Sequence, residues 1–160
     1  MVSIKWCCKQ KSGIRMIEAN ENLSASYMKM SENALGTMNR EKEYNLAFSI
    51  SACYYSMYYA LYSIMMKIGV KCEIHSCTIE IMKVLLDNYY SKEDVKTISK
   101  AFDLRNLAQY YVDKVLNKKD INFIFMQAPL FVNHSKNILS SINEKDVGEL
   151  RNNFESLMKQ

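Results

Sequence analysis

The chain has 160 residues, 49% of them hydrophobic and 24% charged, enough to bury one sizeable core and too few for two. Four Gly and one Pro supply too little turn punctuation for an all-β fold and favour long helices. A net charge of +4 suits a polyanionic partner but falls short of a dedicated nucleic-acid binder, so charge alone assigns no function.

In chain order, Ile4 to Ile17 carries a weak amphipathic pattern broken at Gly13, and residues 1–20 read as an N-terminal extension. Lys5 and Lys9 flank a short apolar patch without the hydrophobic run or small-residue cleavage site of a signal peptide. The chain holds five Cys, an odd number, with Cys7 and Cys8 adjacent; this argues against a secreted disulfide framework and predicts free thiols and a cytoplasmic location. Residues 22–39 form the first core helix, with Leu23, Tyr27, Met30, Ala34 and Met38 on one stripe.

The next helix, 42–68, is the spine. It ends at Gly69, placed as a left-handed cap, with Lys67 facing the negative end of the dipole. Residues 45–66 hold no charge over 22 positions, the length of a membrane span. Four Ser, one Asn and five Tyr spread through the window instead predict a helix buried by protein on nearly all sides. Ser76 is expected to cap a helix closing near Tyr90, and Ser91 the helix 92–116, whose core stripe includes Val95, Ile98, Ala101, Leu104 and Ala108. A helix over 120–142 follows, with Pro129 giving a kink or a break after Ala128, and 144–159 closes the chain. The expected fold is all-α: an up-and-down bundle of four to five long helices with short terminal helical extensions, the main domain spanning 21–159.

Four pieces in order carry a family resemblance: Ser51-Ala-Cys-Tyr-Tyr-Ser-Met-Tyr-Tyr-Ala-Leu, then Gly69, then Ile74-His75-Ser76, then Leu104-Arg105-Asn106-Leu107-Ala108-Gln109-Tyr110. Over residues 22–142 the chain resembles the HEPN family (higher eukaryotes and prokaryotes nucleotide-binding), in particular the subset with an Arg-x-x-Ala-x-Tyr element. The resemblance implies a homodimer, often paired as toxin and antitoxin with a minimal nucleotidyltransferase, that binds RNA or a nucleotide without a cofactor. Many family members are metal-independent ribonucleases that use an Arg and a His separated by four to six residues. Here the Arg is Arg105, and the His positions hold Tyr110, Tyr111 and Val112. A Tyr of pKa about 10 is poorly matched to proton transfer near neutral pH, so the resemblance implies a catalytically weak or inactive protein. The position matching the family's nucleotide-accepting Tyr is Val112.

Asp103, Asn106, Tyr110 and Asp113 recur at three- and four-residue steps, a stripe that reads as a solvated face or, given the resemblance, as a polar cleft at a two-fold interface. In the second reading Arg105 binds phosphate and Asn106 and Tyr110 line the cleft. His75 precedes the helix expected at Ser76, where it either helps to hold a phosphate or fixes the loop. An alternative enzyme reading has His75 meet Arg105 in space and replace the missing His. A purely structural interaction bundle is a third reading. Cys72, His75 and Cys77 match no zinc spacing, so no metal is expected. The Tyr cluster 54–62 is assigned to core and interface, and His134 receives no role.

Overall fold

The computed structural model describes residues 2–111 and 113–159. Seven helices run in chain order: α1 (Ile4–Lys9), α2 (Glu21–Glu41), α3 (Leu46–Ile68), α4 (His75–Leu85), α5 (Lys92–Tyr110), α6 (Lys118–Ser141) and α7 (Glu144–Met158). Two residue pairs, β1 (Arg15–Met16) and β2 (Val70–Lys71), add a minimal antiparallel sheet that the sequence did not lead us to expect. The all-α expectation holds, with more short elements than the bundle alone requires.

The helix starts follow from side chains that satisfy otherwise orphaned N–H groups. Asn20 accepts from the Leu23 N–H at 2.8 Å and Asn45 from the Phe48 N–H at 3.0 Å. Ser91 and Asp94 make a reciprocal capping box at α5, as Asn143 and Asp146 do at α7.

α3 is the spine. Seventeen of its 23 residues are buried, and α2, α5 and α6 pack around it. Tyr54, Met57, Leu61, Ile64 and Met65 are fully enclosed. Small buried Ser residues let α2 and α3 approach closely: Ser31 donates to the Ser56 carbonyl at 2.6 Å, and Ser63 to the Ser24 carbonyl at 2.8 Å. No helix among the described residues is long and apolar enough to cross a membrane. Serines and tyrosines within an otherwise apolar run are what distinguish α3 from a span.

α3 stops at Gly69, which has φ 76° in the left-handed region. The turn lets the Ile17 N–H bond the Gly69 carbonyl and sends the chain back along β1. Arg151 of α7 donates to the carbonyls of Ile17 and Ile68 at 3.0 and 2.9 Å, locking this corner from the far end of the chain. Lys67 does more than face the dipole: its ammonium donates to the Leu139 carbonyl of α6 at 3.1 Å and pairs with Glu21.

Four local expectations are corrected. α4 begins at His75 with Ile74 at its cap position and no side-chain cap; Ser76 lies inside the first turn, because the Thr78 N–H and hydroxyl already bond the Ile74 carbonyl. α4 closes at Leu85 rather than near Tyr90. α5 ends at Tyr110, short of 116; Tyr111 and Asp113 to Val115 are exposed and offer no buried face to extend it. α6 runs unbroken through Pro129, so there is no break after Ala128; neighbouring apolar residues Ala128, Phe131 and Val132 are buried and hold the turn together despite the missing donor.

The expectation of free thiols is corrected for two cysteines. Cys7 and Cys77 form a disulfide that ties α1 to α4 across 70 residues, and both are completely buried. Cys8, Cys53 and Cys72 are free.

Candidate functional site

α5 crosses α3 at the tyrosine cluster, and α4 delivers its first residue to the same place. Burial of Ile98, Ala101 and Leu104 sets the rotation of α5, and that rotation carries Arg105 toward α3. The Arg105 guanidinium donates through Nη2 to the Tyr55 hydroxyl at 2.9 Å and through Nη1 to the Asn106 side-chain oxygen at 2.9 Å. It lies 5.5 Å from the ring centroids of both Tyr55 and Tyr110. Its Nε is buried without a hydrogen-bond partner, and no carboxylate pairs with the group among the described residues. The cation is therefore oriented by neutral oxygens and aromatic faces alone.

His75 joins this arrangement from α4. Its Nδ1 lies 2.7 Å from the Tyr54 hydroxyl, and its ring stacks on Tyr58 at 4.4 Å with an interplanar angle of 19°. Phe102 of α5 lies nearly parallel to the imidazole, 6.0 Å away at 11°. Burial and then the nearby Arg105 charge hold the His75 pKa below the ordinary imidazole value of 6.5, so the ring is neutral at physiological pH. Burial, with Tyr58 and Tyr55 beside it, pushes the Tyr54 hydroxyl far above the usual phenol range, and it stays protonated.

His75, Arg105, Asn106 and Tyr110 thus converge, although the sequence places His75 on a different helix from the other three. Asn106 orients Arg105 directly. Tyr110 is exposed and covers the guanidinium from the solvent side. Asp113, the last member of the proposed polar stripe, lies beyond the end of α5 and leaves that face. Val112, the position matching the nucleotide-accepting Tyr, lies outside the described residues.

Tyr54 and Tyr55 are site residues that sequence reasoning assigned to the core. Tyr54 is buried, as expected, but both hydroxyls point at the two polar site groups. The signal was their adjacency, since consecutive residues on a helix point about 100° apart and can address two neighbours at once. The remaining tyrosines are packing residues: Tyr62 accepts from the Cys72 N–H at 3.3 Å, and Tyr58 hydrogen-bonds Thr78. His134 Nε2 lies 3.0 Å from the Tyr89 carbonyl oxygen. Cys77 is committed to its disulfide, so Cys72, His75 and Cys77 do not make a ligand set.

The chain is thus a helical bundle with a half-buried arginine held against a tyrosine-rich central helix. The family model of the HEPN domain matches residues 19–139, three quarters of the chain, and the chain belongs to that family. No curated protein matches it.

Proposed function

We propose that the protein is a phosphate-binding HEPN homodimer that takes RNA or a nucleotide at a cleft around Arg105, with Asn106, Tyr110 and His75 as further contacts. The single observation that carries this reading is the state of Arg105: a guanidinium partly withdrawn from water, fixed in direction, and paired with no carboxylate among the described residues. A cation in that state gains most from a bidentate anion such as a phosphate. Membership of the family agrees with an RNA- or nucleotide-directed role.

The dimer is supported by aromatic side chains left in solvent beside the site. Tyr110 is 67% exposed, Phe48 55% and Tyr111 49%. Phe48, Tyr55 and Gln109 share one shallow recess, so this apolar surface is continuous with the site. Exposed aromatics grouped at a polar site are characteristic of interface cores. In our reading two copies face each other here and juxtapose their Arg105 residues, and a minimal nucleotidyltransferase is the partner of the resulting toxin-antitoxin-type pair. An Arg105→Ala, Tyr110→Ala double variant should lose dimerisation or partner co-purification; retention of both with native helicity counts against these residues.

A second reading, a metal-independent ribonuclease, is favoured by one observation: His75 stands beside Arg105 with a neutral imidazole. With Nδ1–H donating to the Tyr54 hydroxyl oxygen, the free Nε2 takes the proton of the attacking 2′-hydroxyl as the bond from phosphorus to the 5′-oxygen breaks. The proton passes to that departing oxygen, and Arg105 stabilises the charge on the phosphate. Purified protein incubated with transfer RNA in chelator tests it. Cleavage abolished by His75→Ala supports the enzyme; no cleavage, or cleavage indifferent to that change, leaves the binding reading.

A further inference from the structure

Beside the Arg105 site, on the other side of Phe102, lies a cleft of about 330 Å³ between α4, α5 and the N-terminal segment. We propose that it takes a nucleobase, specifically guanine, from the nucleotide whose phosphate sits on Arg105; the inference rests on that reading of Arg105 and specifies its ligand.

The volume is at the lower end of small-molecule pockets and suits a base rather than a larger ligand. Its walls are apolar, from Val2, Ile79, Val95 and Phe102. Three polar side chains also line it, the half-buried hydroxyls of Ser76 and Ser99 and the solvent-exposed carboxylate of Asp103, and none of the three pairs with another side chain among the described residues. Apolar walls with a few polar groups open to a ligand are the composition that binds a flat, edge-polar ring. Phe102 supplies the stacking face, and such stacking tolerates any base.

Asp103 supplies the selection. An ionised carboxylate accepts only, and two parallel N–H bonds to it are stronger than one. Guanine alone among the common bases carries two adjacent donors on its pairing edge, N1–H and the 2-amino group. Adenine and cytosine set an amino group beside a ring acceptor, and uracil flanks its N–H with carbonyls. The other carboxylate of the cleft, Glu80, is already paired with Lys83.

Position links the cleft to the phosphate site. Phe102 and Arg105 lie one turn apart on α5, about 5 Å along the axis, within the reach of one nucleotide. Ser76 directly follows His75. Val2, one wall, belongs to the segment before residue 19 that the family model does not cover, and the Cys7–Cys77 disulfide anchors that segment to α4. The base pocket is thus completed by a part of the chain outside the family's shared core.

Calorimetric titration of the dimer with GMP, inosine monophosphate, AMP and ribose 5-phosphate tests the proposal. GMP should bind about tenfold or more tighter than AMP and ribose 5-phosphate, the size of one good charge-assisted hydrogen bond. Inosine monophosphate, lacking the 2-amino group, should fall between. Asp103→Asn should abolish the GMP preference without weakening ribose 5-phosphate, and Phe102→Ala should weaken every base-bearing probe. Equal binding of GMP and ribose 5-phosphate, or a GMP preference that survives Asp103→Asn, overturns the base pocket while leaving the phosphate site intact. GMP binding indifferent to Arg105→Ala overturns the phosphate reading instead, and binding of none of the four overturns both.

Discussion

Burial and the nearby Arg105 charge favour the neutral form of His75. Tyr54, Tyr58 and Phe102 enclose the ring, and Arg105 adds positive charge nearby. Its pKa in the fold therefore lies below the 6.5 it has when unfolded. At pH above 6.5 neither state binds the proton and the group costs nothing. As pH falls below 6.5 the unfolded chain takes up the proton first, so stability falls with it until the folded-state pKa is passed. Urea unfolding at pH 7.5 and 5.5 should show a loss at the lower pH that is smaller in His75→Gln. An equal loss in both proteins would place the acid sensitivity elsewhere. The sequence displayed both His75 and Arg105, but not their meeting: they lie on separate helices, and their approach depends on how α4 and α5 each rotate against α3. Tyr54 and Tyr55 were hidden for a related reason, since nothing in a run of tyrosines distinguishes a hydroxyl that caps a loop from one that holds a site residue.

The long helices were legible because each carried its own signals. Ser91, Gly69 and the apolar spacing of Ile98, Ala101 and Leu104 on α5 are local features that survive into the fold, whereas the stripe expected on α2 does not: Leu23 and Met30 are exposed, and Ser24, Met28, Ser31 and Met38 face the core. Where the signal was one residue among equivalents it misled: Ser76 looks like a cap, yet α4 begins one residue earlier, at His75, with no side-chain cap. Pro129 was read for what it removes, whereas burial of the residues around it decides the outcome. Gly69 is the element boundary with the sharpest requirement. Its φ of 76° is strained for any other residue, and an added Cβ would lie 2.1 Å from Arg151 Nη1 and 2.6 Å from the Ile17 carbonyl oxygen. Gly69→Ala should cost at least about 1–3 kcal/mol in equilibrium unfolding, the range for a non-glycine residue forced into this region. A cost under a few tenths would show that the corner between α3, β1 and α7 relaxes freely.

At the scale of the molecule the chain closes on itself. Arg151 of α7 grips the end of α3, and Cys7 of α1 is bonded to Cys77 of α4, so both chain ends are fastened to the central helices. The disulfide was illegible because adjacent cysteines and an odd total say nothing about which residues the fold brings together, and pairing over 70 positions is a property of the tertiary structure alone. Closing a loop of that length restricts the unfolded chain, and reduction or Cys7→Ser should lower stability by about 2–4 kcal/mol. Unfolding curves with and without dithiothreitol check this; coincident curves would mean that α1 is held without the bond.

The central claim is that Arg105 is kept unpaired in order to receive a phosphate. Fluorescence anisotropy of a labelled single-stranded RNA, titrated with the wild-type protein and Arg105→Ala at fixed salt, tests it most directly, with circular dichroism of both proteins as the control for folding. Binding should weaken about tenfold or more in the variant, the loss of one charge-assisted contact to phosphate, while helicity is unchanged. RNA affinity that is the same in both proteins would contradict it.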